Sequence, residues 1–315
     1  MNIIGHKDIL TFFEKAIAAG RLHHAYLFVG SEGLGKQTIA RHLAAQLFDV
    51  DVEALETQPD FFFLEQAINE KTGKTKKNIA IEQVHELRHF FQGKPLLKTR
   101  KIAIINSADR MSIGAMNALL KTLEEPRGDA MIFLIAKDES GILPTIQSRC
   151  QRLYFHPVSQ SDVAAYVKST DLDESIQREM VTASVGIPGR VISWIEDMEV
   201  YNDYKKEIVR CESLLGVPLY KKLALVDDLF GKKDDHIATR NELQDTLRLW
   251  QLVFRDIHIA NLQIDTSSTV PLSSKQNHAS YDILAVQDAI THAIDLLGKN
   301  IHPKLLVEHI LLTLP

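Results

Sequence analysis

An apolar run of five residues, AYLFV (25–29), leads directly into GSEGLGKQ (30–37) and then into an apolar-periodic segment reaching Phe48. A strand, a glycine-rich turn and a helix in that order form a βα unit, whose next strand lies parallel to the first. The pattern recurs. FFFLE (61–65), KIAII (101–105), AMIFLIA (130–136) and RLYF (152–155) read as further strands. AIEQVHELRHFF (80–91), stopping ahead of Pro95, and SIGAMNALLKTLEE (112–125), halted by Pro126, read as helices between them. Upstream, KDILTFFEKAIAAG sets Ile9, Phe12, Phe13, Ala16 and Ile17 on one helical face, and Gly20 ends it. The strands are almost wholly apolar, as expected where helices cover both faces of a sheet. Residues 1–157 are therefore expected to form a parallel, doubly wound α/β domain.

After His156-Pro157 the strand signals fade. Residues 158–205, which include SVGIPGRVISW, read as a small helical domain, and residues 206–315 as a second, wholly helical one. Leu243, Leu247, Trp250, Phe254 and Ile257 recur at alternating spacings of four and three, a continuous buried stripe on one helix. DTSSTVPLSSKQNH (265–278) reads as a surface loop, with helices over about 279–298 and 303–314 behind it.

A chain of 315 residues, 45% hydrophobic and 24% charged, can bury cores for two or three such domains. Its net charge of −5 carries no global nucleic-acid signal. Cys150 and Cys211 are the two cysteines, too few for a disulfide framework and suited to a reducing cytoplasm. MNIIGHKDIL lacks the apolar core of a signal peptide, and no apolar run approaches the ~18 residues of a membrane span.

The chemistry concentrates in the first βα turn. Gly30, Gly35 and Lys36 follow the spacing G-x-x-x-x-G-K, with Gly33 between them. Such a loop aims backbone N–H groups and a helix N-terminus at phosphate oxygens, and the lysine adds a point charge. The residue after the lysine should carry the hydroxyl that holds magnesium, but here it is Gln37. Thr38 has that hydroxyl one residue late, rotated ~100° around the helix. An acidic pair should close the KIAII strand, one member holding the metal and the other orienting water. Asn106 and Ser107 stand there, and Asp109 reads as a turn or capping residue. Three positions lacking their chemistry together point to a chain that does not hydrolyse ATP by the usual route. The cradle and Lys36 still offer weak ATP or ADP binding without magnesium-dependent turnover, and no cofactor is required.

RLHHAYLFVGSEGLGK (21–36), IAIEQVHELRHFF (79–91), NALLKTLEEP (117–126), LPTIQSRCQ (143–151) and GIPGR (186–190) occur in order. Together they resemble the AAA+ clamp-loader subunits of bacterial replicative DNA polymerase III, over roughly residues 3–190. The resemblance implies an AAA+ domain, a helical lid and a helical collar. It implies a five-subunit ring that opens a sliding clamp and places it on primed DNA. The partners implied are ATPase tau/gamma subunits and a delta subunit, with clamp and DNA met through the assembled complex. Ser148-Arg149-Cys150 matches the motif whose arginine reaches a neighbouring subunit's ATP, and Arg190 lies where related ATPases carry a nucleotide-sensing arginine. The two alternatives are a non-hydrolysing subunit that donates Arg149 in trans, and an ATPase with a divergent metal shell; Gln37, Asn106 and Ser107 favour the first. The four-cysteine zinc module of many relatives is missing from DVDVEALETQPD (49–60), so no metal is expected.

HELRH, from His85 through Glu86 to His89, fits the H-E-x-x-H pattern of zinc proteases. A third ligand lacks support: Glu125 and Asp129 of EPRGD lie across a proline-broken helix end. Val84, Leu87 and Phe91 form the apolar face that the two histidines flank, so a solvated helix surface is expected instead. The lysines of NEKTGKTKKN (69–78) allow phosphate contacts but read first as a polar loop tip.

Overall fold

The computed structural model describes residues 3–68, 73, 75–126, 129–230, 236–262, 282–297 and 301–314. The chain forms two compact units, residues 1–169 with 186–190, and residues 170–185 with 191–315.

In the first unit the order is α1 (Lys7–Ala18), β1 (Ala25–Val29), α2 (Lys36–Phe48), β2 (Phe61–Leu64), α3 (Ile81–Gln92), β3 (Lys101–Ile105), α4 (Ile113–Glu124), β4 (Ala130–Ala136), α5 (Pro144–Gln147), β5 (Gln151–Tyr154) and α6 (Gln160–Val167). The five strands form one sheet in the order β2-β3-β4-β1-β5, and every pairing is parallel. The last strand starts one residue earlier than RLYF predicts, because Tyr26 of β1 pairs with Gln151.

Alternation along the strands sorts two cores. Tyr26, Phe28, Ile102, Ile104, Met131 and Phe133 face Phe13 of α1 and Ile39, Leu43 and Phe48 of α2. Leu27, Val29, Ala103, Ile105, Ile132 and Leu134 face Val84, Leu87 and Phe91 of α3 and Leu119 and Leu123 of α4. Helices thus cover both faces, which is the doubly wound arrangement expected. Fully burying each such large side chain stabilises by about 1.5–3 kcal/mol.

Lysine side chains cap two helix ends on this frame. Lys98 Nζ donates to Phe48 O at the end of α2, and Lys101 Nζ to Phe90 O in the last turn of α3, 2.6 Å away. Such donors satisfy carbonyls that a helix end leaves orphaned.

The second unit is helical throughout its described residues: α7 (Glu174–Ala183), α8 (Pro188–Glu196, its first turn belonging to the first unit), α9 (Met198–Ser213), α10 (Leu219–Val226), α11 (His236–Asn261), α12 (Ile283–Leu297) and α13 (Pro303–Thr313). The stripe Leu243, Leu247, Trp250, Phe254 and Ile257 is buried in a core shared by α9, α11, α12 and α13. The indole of Trp250 donates to Glu207 Oε1 at 2.8 Å. No described helix is long and apolar enough to cross a membrane. The Ser/Thr-rich stretch 265–278 lies outside the described residues, as do residues 69–72 and 74 of the lysine-rich segment and residues 127–128 of EPRGD.

Candidate functional site

β1 is an inner strand, flanked by β4 and β5, and the glycine-rich loop leaves its C-terminal end. Open parallel sheets present ligand sites at that end of their strands. Gly30 continues the ladder, donating its N–H to Ala136 O at 3.2 Å. At φ 153° it passes so close to β5 that a Cβ there would lie 2.5 Å from Phe155 O. The turn closes through Gly33 and Gly35 in left-handed backbone, and α2 begins at Lys36.

Lys36 is only 6% exposed. Its Nζ donates to Gly30 O at 2.5 Å and Ser31 O at 2.6 Å, so the ammonium occupies its own loop. Burial is the main influence on it and lowers its pKa to about 8; Glu32 and Asp109 act upward, and Lys137 downward again. Gln37 and Thr38 follow, both half-buried in the first turn of α2.

Across the loop, β3 runs out at Ile105, and Asn106 donates its N–H to Leu64 O at 2.8 Å. Ser107 takes a left-handed φ of 54°. Asp109 accepts the Lys137 N–H at 3.1 Å, which ties the turn after β3 to the end of β4. The Lys137 side chain then reaches Glu32 on the loop, Nζ to Oε1 3.7 Å. Lys137 escaped the sequence reading; its place immediately after an inner apolar strand was the available signal.

GIPGR also reaches the loop. Gly189 donates its N–H to Gly33 O at 2.8 Å, and Arg190 follows in the first turn of α8. His6, ahead of α1, has its Nε2 2.7 Å from Leu34 O. Burial lowers the pKa of this imidazole most; the Leu34 contact opposes the shift.

Ser148, Arg149 and Cys150 occupy a second locus, between α5 and β5. Ser148 is exposed, its Oγ donating to Thr145 O at 3.1 Å. Cys150 is buried against the α3–α4 core, and burial pushes its thiol up to about 12. That makes it an apolar anchor rather than a nucleophile. Arg149 lies between them with 35% of its side chain exposed. One terminal nitrogen donates to Thr145 O at 2.8 Å, and the other pairs with Glu124 Oε1 at 2.7 Å. The structure thus gathers Gly30, Gly33, Gly35 and Lys36 with Gly189, while Arg149 makes its described contacts with Thr145, Ser148 and Glu124.

On α3, His85, Glu86 and His89 are exposed, whereas Val84, Leu87 and Phe91 are buried. Among the described residues no group of three or more His, Cys, Asp or Glu side chains is disposed to hold a metal ion.

Residues 5–159 match the family model described as "DNA polymerase III, delta subunit". A Pseudomonas aeruginosa protein named DNA polymerase III subunit delta' is 38% identical over 141 residues, spanning 40% of this chain and 41% of that protein. The Bacillus subtilis subunit delta' is 25% identical over 97% of this chain and 95% of its own length. A solved DNA polymerase III gamma subunit-related protein from Thermotoga maritima superposes with a TM-score of 0.48 at 20% identity, covering 95% of this chain and 97% of that one.

Proposed function

We propose that the chain, which is similar to the delta', gamma and tau subunits of DNA polymerase III, is a non-hydrolysing clamp-loader subunit that donates Arg149 in trans. It works in a ring with ATPase subunits of the tau/gamma kind and a delta subunit, which together load a sliding clamp onto primed DNA. The observation that carries this reading is the contrast between the two loci. Lys36 is folded onto Gly30 and Ser31; Gln37 lacks the hydroxyl of a magnesium shell, and Asn106 and Ser107 lack its carboxylates. Arg149 instead stands partly exposed over a buried cysteine. Nucleotide binding at the loop is weak and serves no turnover.

The chemistry required of Arg149 follows from the reaction. Phosphoryl transfer spreads negative charge over the transferred group, and catalysis there is mostly positioning and charge stabilisation. A guanidinium is planar, permanently charged and presents donors in a fixed fork, which suits that charge better than a lysine would. The buried Ile146 and Cys150 on either side of Arg149 fix the backbone from which it projects.

The test is clamp- and DNA-stimulated ATP hydrolysis by a ring reconstituted with the full-length chain. Arg149→Ala should leave assembly intact and lower turnover sharply; where a trans arginine acts directly, its loss costs ~10³-fold or more at that site. Lys36→Ala should matter far less. The opposite pattern, Lys36→Ala abolishing turnover and Arg149→Ala sparing it, would establish an ATPase subunit with a divergent metal shell.

A further inference from the structure

The end of α4 carries Glu124 and Glu125 side by side. A helix C-terminus already bears partial negative charge, so two carboxylates there disfavour the helix. One of them answers to a cation from elsewhere in the chain, since Glu124 Oε1 lies 2.7 Å from a terminal nitrogen of Arg149. The other terminal nitrogen is held by Thr145 O at 2.8 Å. A guanidinium gripped at both tips of its fork cannot rotate freely about its long stem. The Thr145-bound nitrogen also donates to Ser148 Oγ at 3.5 Å, which leaves two of the five N–H groups for an outside ligand. Glu124 itself is 48% exposed, so the pair stands at the surface and not in a core.

Resting on the trans-arginine reading, we infer that Glu124 is a positioning residue: together with the Thr145 carbonyl it presets the Arg149 guanidinium for the phosphates of a nucleotide bound by the neighbouring subunit. The stabilisation a screened surface pair contributes to folding is small, whereas loss of orientation at a reacting centre is costly. A misplacement of about 1 Å can reduce rate ~10²-fold. Glu124→Gln keeps an acceptor oxygen in the same place and loses the charge; Glu124→Ala loses both. Positioning depends on the acceptor, so the glutamine variant should retain most activity.

Rings reconstituted from full-length Glu124→Ala, Glu124→Gln, Arg149→Ala and the Glu124→Ala/Arg149→Ala double variant should be compared by ATPase rate against ATP concentration. The expected result is that Glu124→Ala loses most of the turnover that Arg149→Ala loses. That loss should lie in kcat, with KM within about twofold and the melting temperature of the free subunit unchanged. Glu124→Gln should restore it, and the double variant should be no worse than Arg149→Ala, as for two residues acting through one group. Wild-type turnover in Glu124→Ala, alongside a large loss in Arg149→Ala, would overturn the positioning role alone. A rate increase in Glu124→Ala would also overturn it, since the carboxylate would then be restraining the arginine. Unchanged turnover in Arg149→Ala would instead remove the trans-arginine reading from which the inference starts.

Discussion

Gly189 donates its backbone N–H to Gly33 O at 2.8 Å, and neither residue has room for a side chain. A Cβ on Gly189 would lie 2.8 Å from Gly33 Cα, and one on Gly33 would lie 2.8 Å from Ile187 Cγ2. The glycine spacing of a phosphate cradle therefore also forms a backbone joint between the loop and GIPGR. This supports the view that the loop persists as a fold element, whatever its nucleotide affinity.

Gly189→Ala should destabilise the chain by about 1–3 kcal/mol, the usual range for overpacking, because the obstruction is backbone and cannot rotate away. Gly114→Ala is the control. Its nearest neighbour is Ile81 Cδ1 at 3.6 Å, ordinary contact, and it lies within α4. Alanine there should stabilise by up to about 1 kcal/mol. Urea unfolding curves of the two variants should move in opposite directions; equal midpoints would show that the joint is slack.

Asp60 is fully buried and accepts the backbone N–H groups of Leu96, Leu97 and Lys98 at 2.7–3.0 Å. Burial pushes its carboxyl up, but those bonds and the nearby Lys101 outweigh it and hold the pKa below the usual aspartate range. Because the folded value lies below the unfolded one, the carboxylate contributes stability above about pH 4. That contribution disappears as pH falls through the folded value. Asp60→Ala should cost about 3 kcal/mol or more by leaving donors unpaired, and Asp60→Asn should flatten the acid limb of the stability profile. An acid limb identical in wild type and Asp60→Asn would count against this account.

Lys36 is also shifted downward, but here folding disfavours the charged form. Its pKa of about 8 lies below the ordinary 10.5, so between those values the unfolded chain binds more protons and wild-type stability should rise with pH. Lys36→Met removes the titrating group. The difference in unfolding free energy between wild type and variant, measured from pH 7.5 to 10.5, should shift in favour of wild type as pH rises. A difference that stays flat would mean that the ammonium is better solvated than its two carbonyl partners and burial imply.

Nucleotide binding, where detectable, should not depend on magnesium. Gln37 cannot replace a hydroxyl ligand, and Asp109 already accepts the Lys137 N–H at 3.1 Å. Titration of a fluorescent ADP should return similar affinities in magnesium and in EDTA. A tenfold or greater weakening in EDTA would indicate a metal shell built from other residues.

The sequence by itself determined the alternation of strands and helices, the two covered faces of the sheet and the course of the phosphate loop. Each of these rests on a local cause: apolar periodicity along a strand or helix, or the backbone freedom of Gly33 and Gly35. It also marked Arg149, through a motif. What Arg149 and Lys36 touch was decided only by tertiary structure. Asp60 meets Leu96 across 36 positions, Asp109 meets Lys137 across 28, and Glu124 at the end of α4 meets Arg149 in the segment between α5 and β5. Gly33 meets Gly189 from almost the length of the first unit away. Such pairs leave no periodic trace, because a carboxylate or an N–H selects its partner by proximity after the sheet has formed. Lys36 is the instructive case: its place in the motif was legible, but its turn onto Gly30 and Ser31 depends on the burial that surrounds it.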